Sequence, residues 1–278
     1  MRKRAEHYQD VPPAQRERLS TFPATYPYRQ LTLDGTTWRY IACGEGDSTL
    51  LFLPGAFLEA EMWFNQILTL EEHYRILAPD AYALQGVFDL DCICDALVGS
   101  LDAEGIERAT VIGISAGGGV AQVLLQSYPD RVEHVVFSHC GVLEHDAQVE
   151  RKTRRILWLV RLLPSFLIRR VLKRMTTGDI PRSSEWTAFH EAFIEKAVQN
   201  VDKGTVLRFL RSGLETRRKF TFAPQSLKSW PGSILILSSK DDALSCETVD
   251  QLRARYPRAK TEILAEGGHH AFLFFPQA

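Results

Sequence analysis

The sequence of 278 residues predicts an α/β fold, a doubly wound and mostly parallel sheet with an inserted helical cap. Three observations lead to this prediction. Apolar runs of five to seven residues alternate with helical periodicity along the first half of the chain. The alternation stops over residues 141–229, where only helical patterns occur. It then resumes over residues 233–264, so the helical stretch interrupts the sheet.

The N-terminal residues 1–29 are interpreted as a polar arm with no predicted fold, because prolines are frequent and no apolar run occurs. A β-hairpin is predicted over residues 30–43, where apolar and polar residues alternate around Asp34-Gly35, a pair typical of hairpin turns. The hairpin begins the core, which we assign to residues 30–140 and 230–278.

The remaining core elements follow from two periodicities, alternation or short apolar runs for strands and a 3.6-residue repeat for helices. Strands are predicted over residues 49–53, 74–78, 109–114, 132–138, 233–238 and 260–264. Helices are predicted over residues 59–72, 90–101, 117–128 and 246–256. Pro54-Gly55 ends the first of these strands, and Pro129-Asp130 follows the third helix. Apolar runs bounded in this way are typical of buried parallel strands.

The stretch 141–229 is predicted to be a helical cap or lid, with helices over 148–175 (interrupted at Pro164), 184–200 and 203–217. It holds 18 Lys/Arg against nine Asp/Glu. An amphipathic lid that contacts anionic lipid is one interpretation of this pattern. The favoured interpretation is a cap helix with its apolar face on the substrate pocket and its arginines in solvent.

Composition narrows the class of protein further. The net charge of −1 gives no indication of nucleic-acid binding. No apolar run approaches the length that spans a bilayer, and the N-terminus lacks the apolar region of a signal peptide. The five cysteines are irregularly spaced, which favours free thiols in a reducing compartment. We therefore expect a cytoplasmic protein.

The motif Gly113-Ile114-Ser115-Ala116-Gly117 has the form GxSxG, and it follows a predicted strand and opens a predicted helix. A nucleophile elbow requires this context. The tight turn holds the serine in a strained backbone conformation, and only small neighbours avoid a clash. The alternative is a glycine-rich turn with an incidental serine. We predict that Ser115 is a nucleophile.

A serine nucleophile needs a base, and the base needs an orienting acid. After the strand at 233–238 the chain supplies Asp241 and Asp242, and after the strand at 260–264 it supplies His269 and His270. Asp242 is preferred because a loop leaving the strand end gives its side chain room to turn, with Asp241 a solvated turn residue. His269 is preferred because Gly267-Gly268 lets the backbone swing the imidazole over the sheet edge. His270 would then be a surface or pocket-wall residue.

An oxyanion hole needs two N–H donors. We assign them to Ala116, directly after the nucleophile, and to Ala56, in the turn that Gly55 permits after the strand at 49–53. The alternative is that Pro54-Gly55 is only a turn. The remaining candidate lining residues of the substrate pocket are Gly55, Phe57, Trp63 and His139.

These residues together resemble the α/β-hydrolase superfamily over residues 31–276. The resemblance implies the α/β-hydrolase fold, Ser115 as nucleophile, Asp242 as acid, His269 as base, and oxyanion donors at Ala56 and Ala116. Two positions depart from the usual pattern of that superfamily: Pro54-Gly55 replaces His-Gly, and Ser239 replaces a glycine before the acid loop.

The chain is also locally similar to the maspardin-like branch. The similar stretches are 51–55, 66–68, 74–78 and 243–245, with Tyr256-Pro257. Members of that branch can lack the full triad and are thought to bind partners. This chain keeps all three residues, which favours catalysis.

The predicted function is hydrolysis of an apolar carboxylic ester, lactone or thioester through an acyl-enzyme, with no metal or organic cofactor. C–C bond hydrolysis and cofactor-free perhydrolysis use the same triad and stay open as alternatives. A non-catalytic binding protein is the alternative from another class. Serine rather than aspartate as nucleophile argues against haloalkane dehalogenase and epoxide hydrolase chemistry.

Overall fold

Eight strands form one sheet in the computed structural model, which describes residues 8–177, 185–223, 227–242 and 245–271. The strands are β1 Arg29–Leu33, β2 Thr36–Cys43, β3 Ser48–Leu53, β4 Tyr74–Pro79, β5 Ala109–Ile114, β6 Val132–Ser138, β7 Ile234–Ser239 and β8 Lys260–Leu264. Their order across the sheet is β1-β2-β4-β3-β5-β6-β7-β8. The β1–β2 hairpin and the β2–β4 pair are antiparallel, and the pairs from β4 to β8 are parallel. The predicted fold class is confirmed.

The strand order places one crevice at the centre of the sheet. Strand β3 has β4 as its neighbour on one side and β5 as its neighbour on the other, so the chain changes direction across the sheet at β3. Leu53 is in register with Gly113, so the loops that follow β3 and β5 leave the sheet side by side. Ligands of open α/β sheets bind at such a switch point, beyond the carboxyl ends of the strands.

Nine α-helices accompany the sheet in the described residues. They are α1 Pro13–Thr25, α2 Phe64–Leu70, α3 Leu90–Ala103, α4 Ala116–Ser127, α5 Ala147–Leu162, α6 Ser165–Thr177, α7 Thr187–Gln199, α8 Lys203–Lys219 and α9 Ser245–Arg255. Three of them begin at an aspartate whose side chain accepts backbone N–H groups of the first turn: Asp89, Asp146 and Asp202. Such caps satisfy N–H groups that have no partner within the helix.

The sheet is buried on both faces because its central strands carry runs of consecutive apolar residues. Along β3, Leu51 and Leu53 belong to the core beneath α3 and α4, whereas Phe52 belongs to the core on the opposite face. Successive side chains of a strand point to opposite faces, so an uninterrupted apolar strand serves both cores.

The N-terminal arm, to which the sequence assigned no fold, contains a helix. Residues Pro13–Thr25 form α1, and Leu19, Phe22 and Tyr26 are buried in the core that contains Phe52, which we call the second core. Phe22 meets Phe64 edge-to-face with ring centroids 6.1 Å apart. The spacing of the three apolar residues is helical, but the prolines obscured it, and packing against the core stabilises the helix.

The described part of residues 141–229 contains the helices α5 to α8 and no strand. The predicted start of the third helix, at residue 184, lies outside the described residues. On α5 and α6 the side chains of Leu157, Val160 and Ile168 are buried. None of the helices described is both long and apolar enough to cross a bilayer.

Candidate active site

Ser115 occupies the turn between β5 and α4 with backbone angles φ 53° and ψ −115°. A positive φ is strained for a residue with a side chain, so the surrounding contacts must hold this conformation. The Ser115 N–H donates to the carbonyl of Ser138 at the end of the neighbouring strand β6, over 3.1 Å. The turn therefore fixes the serine at the central crevice of the sheet.

Two glycines of the GxSxG motif have no room for a side chain. A Cβ atom on Gly113 would lie 2.5 Å from the carbonyl oxygen of Gly117, and one on Gly117 would lie 2.3 Å from the carbonyl oxygen of Leu53. Both clashes involve backbone atoms, which cannot move aside without deforming the turn. The glycines thus let β5, α4 and the end of β3 approach closely.

The turn after β3 lies beside the serine. A Cβ atom on Gly55 would come to 4.0 Å from the Cβ of Ser115, and the carbonyl of Gly55 accepts the N–H of Leu58 over 3.4 Å. Ala56 and Ala116 both line the cavity that contains Ser115. Ala116 is the first residue of α4, so its N–H has no acceptor within the helix.

The two candidate acids make different contacts. Asp242 lies with Oδ2 3.1 Å from Nδ1 of His269, and its side chain is 3% exposed. Asp241 instead accepts the backbone N–H groups of Gly267 and Gly268 over 3.1 and 2.9 Å. Asp241 is the exposed turn residue that we expected, and its carboxylate additionally holds the loop that carries His269.

The two candidate bases also differ. His269 lines the cavity together with Ser115, whereas His270 points into the protein and is 7% exposed. The rings of His270 and His190 of α7 are 5.2 Å apart. Burial, followed by the neighbouring histidines, holds the pKa of His270 well below its ordinary range. His270 is thus a neutral residue of the interior rather than a surface residue.

His139 lies at the end of β6, with φ 46° and 3% exposure. Its Nδ1 is 2.8 Å from Oγ of Ser138, and its Nε2 is 2.9 Å from Oγ of Ser239. The ring stands nearly perpendicular to that of His269, with centroids 6.1 Å apart. Burial, and then the proximity of His269, lowers the pKa of His139 to about 4. The imidazole is therefore neutral at neutral pH.

The cavity has a volume of about 320 Å³. Its lining comes from the sheet edge and from α8, and consists of Ala56, Tyr82, Leu90, Ser115, Ala116, Gly119, His139, Cys140, Gly141, Leu143, Phe209, Ser212, Gly213, Thr216, Arg217 and His269. Five of the predicted site residues are thus brought together: Ser115, His269, Ala56, Ala116 and His139. Asp242 lies directly behind His269.

Trp63 does not belong to this cavity, which corrects our expectation. It is 2% exposed and stacks on Phe52 with ring centroids 4.7 Å apart, so it is a core residue. Phe57 also lies outside the lining and packs against Phe209, a lining residue, at 5.0 Å. Gly55 supports the turn beside Ser115 rather than lining the space.

Five of the lining residues that sequence reasoning missed lie on α8. Phe209, Ser212, Gly213, Thr216 and Arg217 recur at helical spacing, which places them on one face of that helix. Arg217 donates to the carbonyl of Val142 over 2.9 Å, and burial lowers its pKa. The helical repeat was visible in the sequence, but which face would meet the sheet was not.

The comparison with protein families agrees with this architecture. Residues 50–278 match the Alpha/beta hydrolase family. The chain belongs to this family. The similarity to the maspardin-like branch stays a prediction, because the match does not resolve branches. Among the described residues, no cluster of three or more His, Cys, Asp or Glu residues has a metal-binding arrangement.

Curated relatives of the chain are hydrolases of several kinds. Mouse epoxide hydrolase 4 is 27% identical over 160 residues, which span 51% of this chain and 45% of that protein. A putative carbamate hydrolase RutD from Caulobacter sp. (strain K31) is 24% identical, covering 83% of this chain and 87% of the relative. A 2-hydroxy-6-oxononadienedioate/2-hydroxy-6-oxononatrienedioate hydrolase from Burkholderia vietnamiensis is 25% identical, covering 91% and 92%.

Solved structures share the fold. The carboxylesterase CesB (YbfK) from Bacillus subtilis superposes with a TM-score of 0.69 at 19% identity, over 100% of this chain and 95% of that one. The chain is therefore a member of the alpha/beta hydrolase family with the hydrolase fold, and the relatives leave the bond that it cleaves to be inferred from the site.

Proposed function

We propose that the protein is a serine hydrolase that cleaves carboxylic esters, lactones or thioesters through an acyl-enzyme. The observation that carries the proposal is the pairing of Asp242 with Nδ1 of His269 at 3.1 Å, in a cavity that also contains Ser115 on its strained turn. A nucleophile, a base and an orienting acid on three separate loops at one sheet edge form the constellation that activates serine.

The reaction follows from the contacts of each group. Because Nδ1 of His269 faces Asp242, Nε2 is the ring atom that takes the hydroxyl proton when Ser115 Oγ attacks the acyl carbon. The N–H groups of Ala56 and Ala116 stabilise the oxyanion. The imidazolium then protonates the departing alcohol or thiol. Water, activated by the same imidazole, hydrolyses the acyl-enzyme and regenerates the free Ser115 hydroxyl.

The cavity favours a small substrate with an apolar acyl group. Its volume of about 320 Å³ lies at the lower end of the range for ligand pockets, and Tyr82, Leu90 and Phe209 supply apolar walls. The likeness to a carboxylesterase structure agrees with ester cleavage.

Hydrolysis of p-nitrophenyl esters from acetate to palmitate, measured for the wild type and for Ser115→Ala, tests the proposal. We expect the short-chain esters to be cleaved fastest and the variant to lose at least about a thousandfold in kcat/KM. Ser212→Ala is the matched control, since it removes a hydroxyl from the same cavity without touching the triad. A folded wild type that neither cleaves these esters nor reacts with a fluorophosphonate probe at Ser115 would refute serine catalysis and favour a binding protein.

Cleavage of a C–C bond is the second candidate function. It is favoured by the Burkholderia vietnamiensis relative, whose similarity covers 91% of this chain. A 2-hydroxy-6-oxo-dienoate substrate, followed by chromatography of its products, separates the two activities. Turnover of this substrate by an enzyme that leaves p-nitrophenyl esters intact would replace ester hydrolysis by C–C hydrolysis.

We also propose a cytoplasmic location. The described cysteines Cys43, Cys92, Cys94 and Cys140 are free thiols, which fits a reducing compartment.

A further inference from the structure

The helices α5 and α6 present large apolar side chains to solvent where they meet at Pro164. The exposed fractions are 59% for Trp158, 50% for Leu159, 64% for Leu162 and 66% for Phe166. We call these four residues the apolar apex. They lie on neighbouring turns at the end of α5 and the start of α6, the two successive helices that we call the hairpin, unlike the isolated apolar residues that every protein surface carries. Contiguous exposed apolar surface marks a site of interaction.

The apex is not the face that holds these helices on the protein. On the inner side, Val160 and Ile168 pack with Val201 and Val206 in a small core of their own. The connection between the helices is fixed as well, because Nζ of Lys203 donates to the carbonyl of Leu163 over 3.0 Å. The hairpin is thus anchored from below, and its apex projects outward. This arrangement differs from our favoured interpretation, in which the apolar residues faced the pocket.

Positive charge surrounds the apex. Residues 151–178 contain nine Lys/Arg and no Asp or Glu. On α5, Arg151 and Arg155 precede Trp158 and Leu162 by seven residues, and on α6, Arg170 follows Phe166 by four. These spacings put the cations on the helix faces that carry the apex residues. All three arginines are exposed.

We propose that this surface binds an anionic membrane surface, with the apex inserted among the acyl chains and the arginines on the lipid headgroups. A tryptophan, leucines and a phenylalanine beside arginines are the composition of interfacial helices. Each Lys or Arg near an anionic leaflet adds to the affinity, and its long side chain reaches the headgroups while the apex lies deeper.

Charge disfavours a second copy of the chain as the occupant. A twofold interface would place the nine cations of one copy against those of its partner. The bare phosphate backbone of nucleic acid would satisfy the arginines but would leave the leucines in water. Of these three occupants, an anionic lipid surface is the one that matches both the apolar apex and the arginines.

Membrane binding does not depend on the proposed ester hydrolysis, but the two fit together. Phe57 packs against the inner core of the hairpin and against Phe209, which lines the cavity. The bound membrane would therefore lie near the catalytic cavity, where apolar esters concentrate.

Sedimentation with vesicles tests the proposal. The full chain is mixed with phosphatidylcholine vesicles that contain none or about a third phosphatidylserine. We expect binding to the anionic vesicles at least about tenfold tighter, and weakened by 0.5 M salt because the headgroup contacts are screened. Ser115→Ala should bind like the wild type, so loss of catalysis and loss of binding are distinguishable.

Two pairs of variants locate the surface. Leu162→Ser with Phe166→Ser should weaken binding at least about tenfold, whereas Ile263→Ser, an exposed apolar residue of β8, should not. Arg155→Gln with Arg170→Gln should weaken binding about tenfold to thirtyfold, whereas Lys228→Gln, an exposed cation elsewhere, should not. Thermal unfolding confirms that each variant is folded.

Three results would overturn the proposal. The first is equal binding to neutral and anionic vesicles, and the second is wild-type binding by the folded apex variant. The third is a preference for another occupant, seen as tighter binding to a DNA duplex than to the anionic vesicles, or as a dimer that the apex variant dissociates.

Discussion

The sheet edge that holds the candidate active site and the hairpin of α5 and α6 differ in how tightly their residues are packed. At the sheet edge, backbone approaches backbone, so a single added Cβ on Gly117 would meet the Leu53 carbonyl oxygen at 2.3 Å. On the hairpin, Phe166 is 66% exposed and packs little of its surface. At the sheet edge, therefore, the lack of room inside the protein determines which residues are tolerated. On the hairpin the internal packing leaves the identity of these residues open, and the membrane contact proposed above would account for it.

The largest expected effect distinguishes two adjacent residues of the sheet edge. Asp242→Asn should lower kcat about ten-thousandfold, because the imidazole of His269 loses the acid that orients its tautomer. Asp241→Asn should lower kcat far less, about tenfold, because one amide oxygen can still accept an N–H of Gly267 or Gly268. Steady-state kinetics with a p-nitrophenyl ester measures both. Equal losses would mean that the two acids act as one unit.

The second effect tests the space around the nucleophile turn. Gly117→Ala should destabilise the protein by about 3 kcal/mol, since the new methyl meets the backbone of Leu53 and Pro54. Gly119→Ala, two residues further along α4, has nothing within 4 Å of its Cβ and should gain up to about 1 kcal/mol from helix propensity. Urea unfolding of the two variants measures the difference in their free energies of unfolding. Equal stability of the two variants would show that the turn can accommodate a methyl group at position 117.

The third effect concerns the buried imidazoles of the sheet edge and of the helix that packs beside it. His139 and His270 lie at the sheet edge, and His190 comes from α7. Burial lowers the pKa of His139 to about 4 and that of His190 to about 3, and it keeps that of His270 well below its ordinary range. Below pH 6.5 the unfolded chain binds protons at these rings that the folded chain does not.

The free energy of unfolding should therefore be insensitive to these groups above pH 6.5 and should fall as the pH decreases from 6.5 toward 4. The slope contributed by each histidine approaches about 1.4 kcal/mol per pH unit. Urea unfolding at pH 7.5, 6 and 5 measures it. His190→Gln should flatten the dependence, because it removes one of these buried rings. A wild type with no loss of stability in this range would show that the rings take up protons when folded.

The smallest effect belongs to the hairpin. Phe166→Ser should change the free energy of unfolding by no more than about 0.5 kcal/mol, because the ring is already in solvent. Phe189→Ser, whose ring is fully buried in the second core, should cost at least about 3 kcal/mol. Thermal or urea unfolding compares them, and a large loss at Phe166 would assign the apex to internal packing.

Much of this architecture could be predicted from sequence because short apolar runs and helical repeats are local signals. The boundaries of β5, β6 and β8 agree with the predicted ranges residue by residue. The GxSxG motif, the Asp pair and the Gly-Gly-His loop each follow a predicted strand. Their positions therefore indicated that the three motifs meet at one edge of the sheet. The use of Asp241 as a brace for the His269 loop could not be predicted, because it depends on which way a carboxylate turns after β7.

Failures occurred where long-range packing decides the outcome. Trp63 follows the turn beside Ser115 in sequence, but its ring turns into the core against Phe52. The exposed apex of α5 and α6 has the same composition as a pocket-facing helix. Whether such apolar side chains face the pocket or the solvent depends on the residues that pack against each face of the helix. Those residues lie far away along the chain.

The helix α1 has a practical consequence for anyone who shortens the chain. Gln15 donates to the carbonyl of Glu185, just before α7, and Tyr8 stacks with Phe189 at 5.9 Å. A version trimmed to start at β1 would keep every residue of the candidate active site. It would also uncover the aromatic surface that Phe22 and Tyr26 now protect, and poor yield of such a version would reflect aggregation rather than a damaged catalyst. Affinity tags and truncations should therefore leave the residues from Tyr8 onward intact.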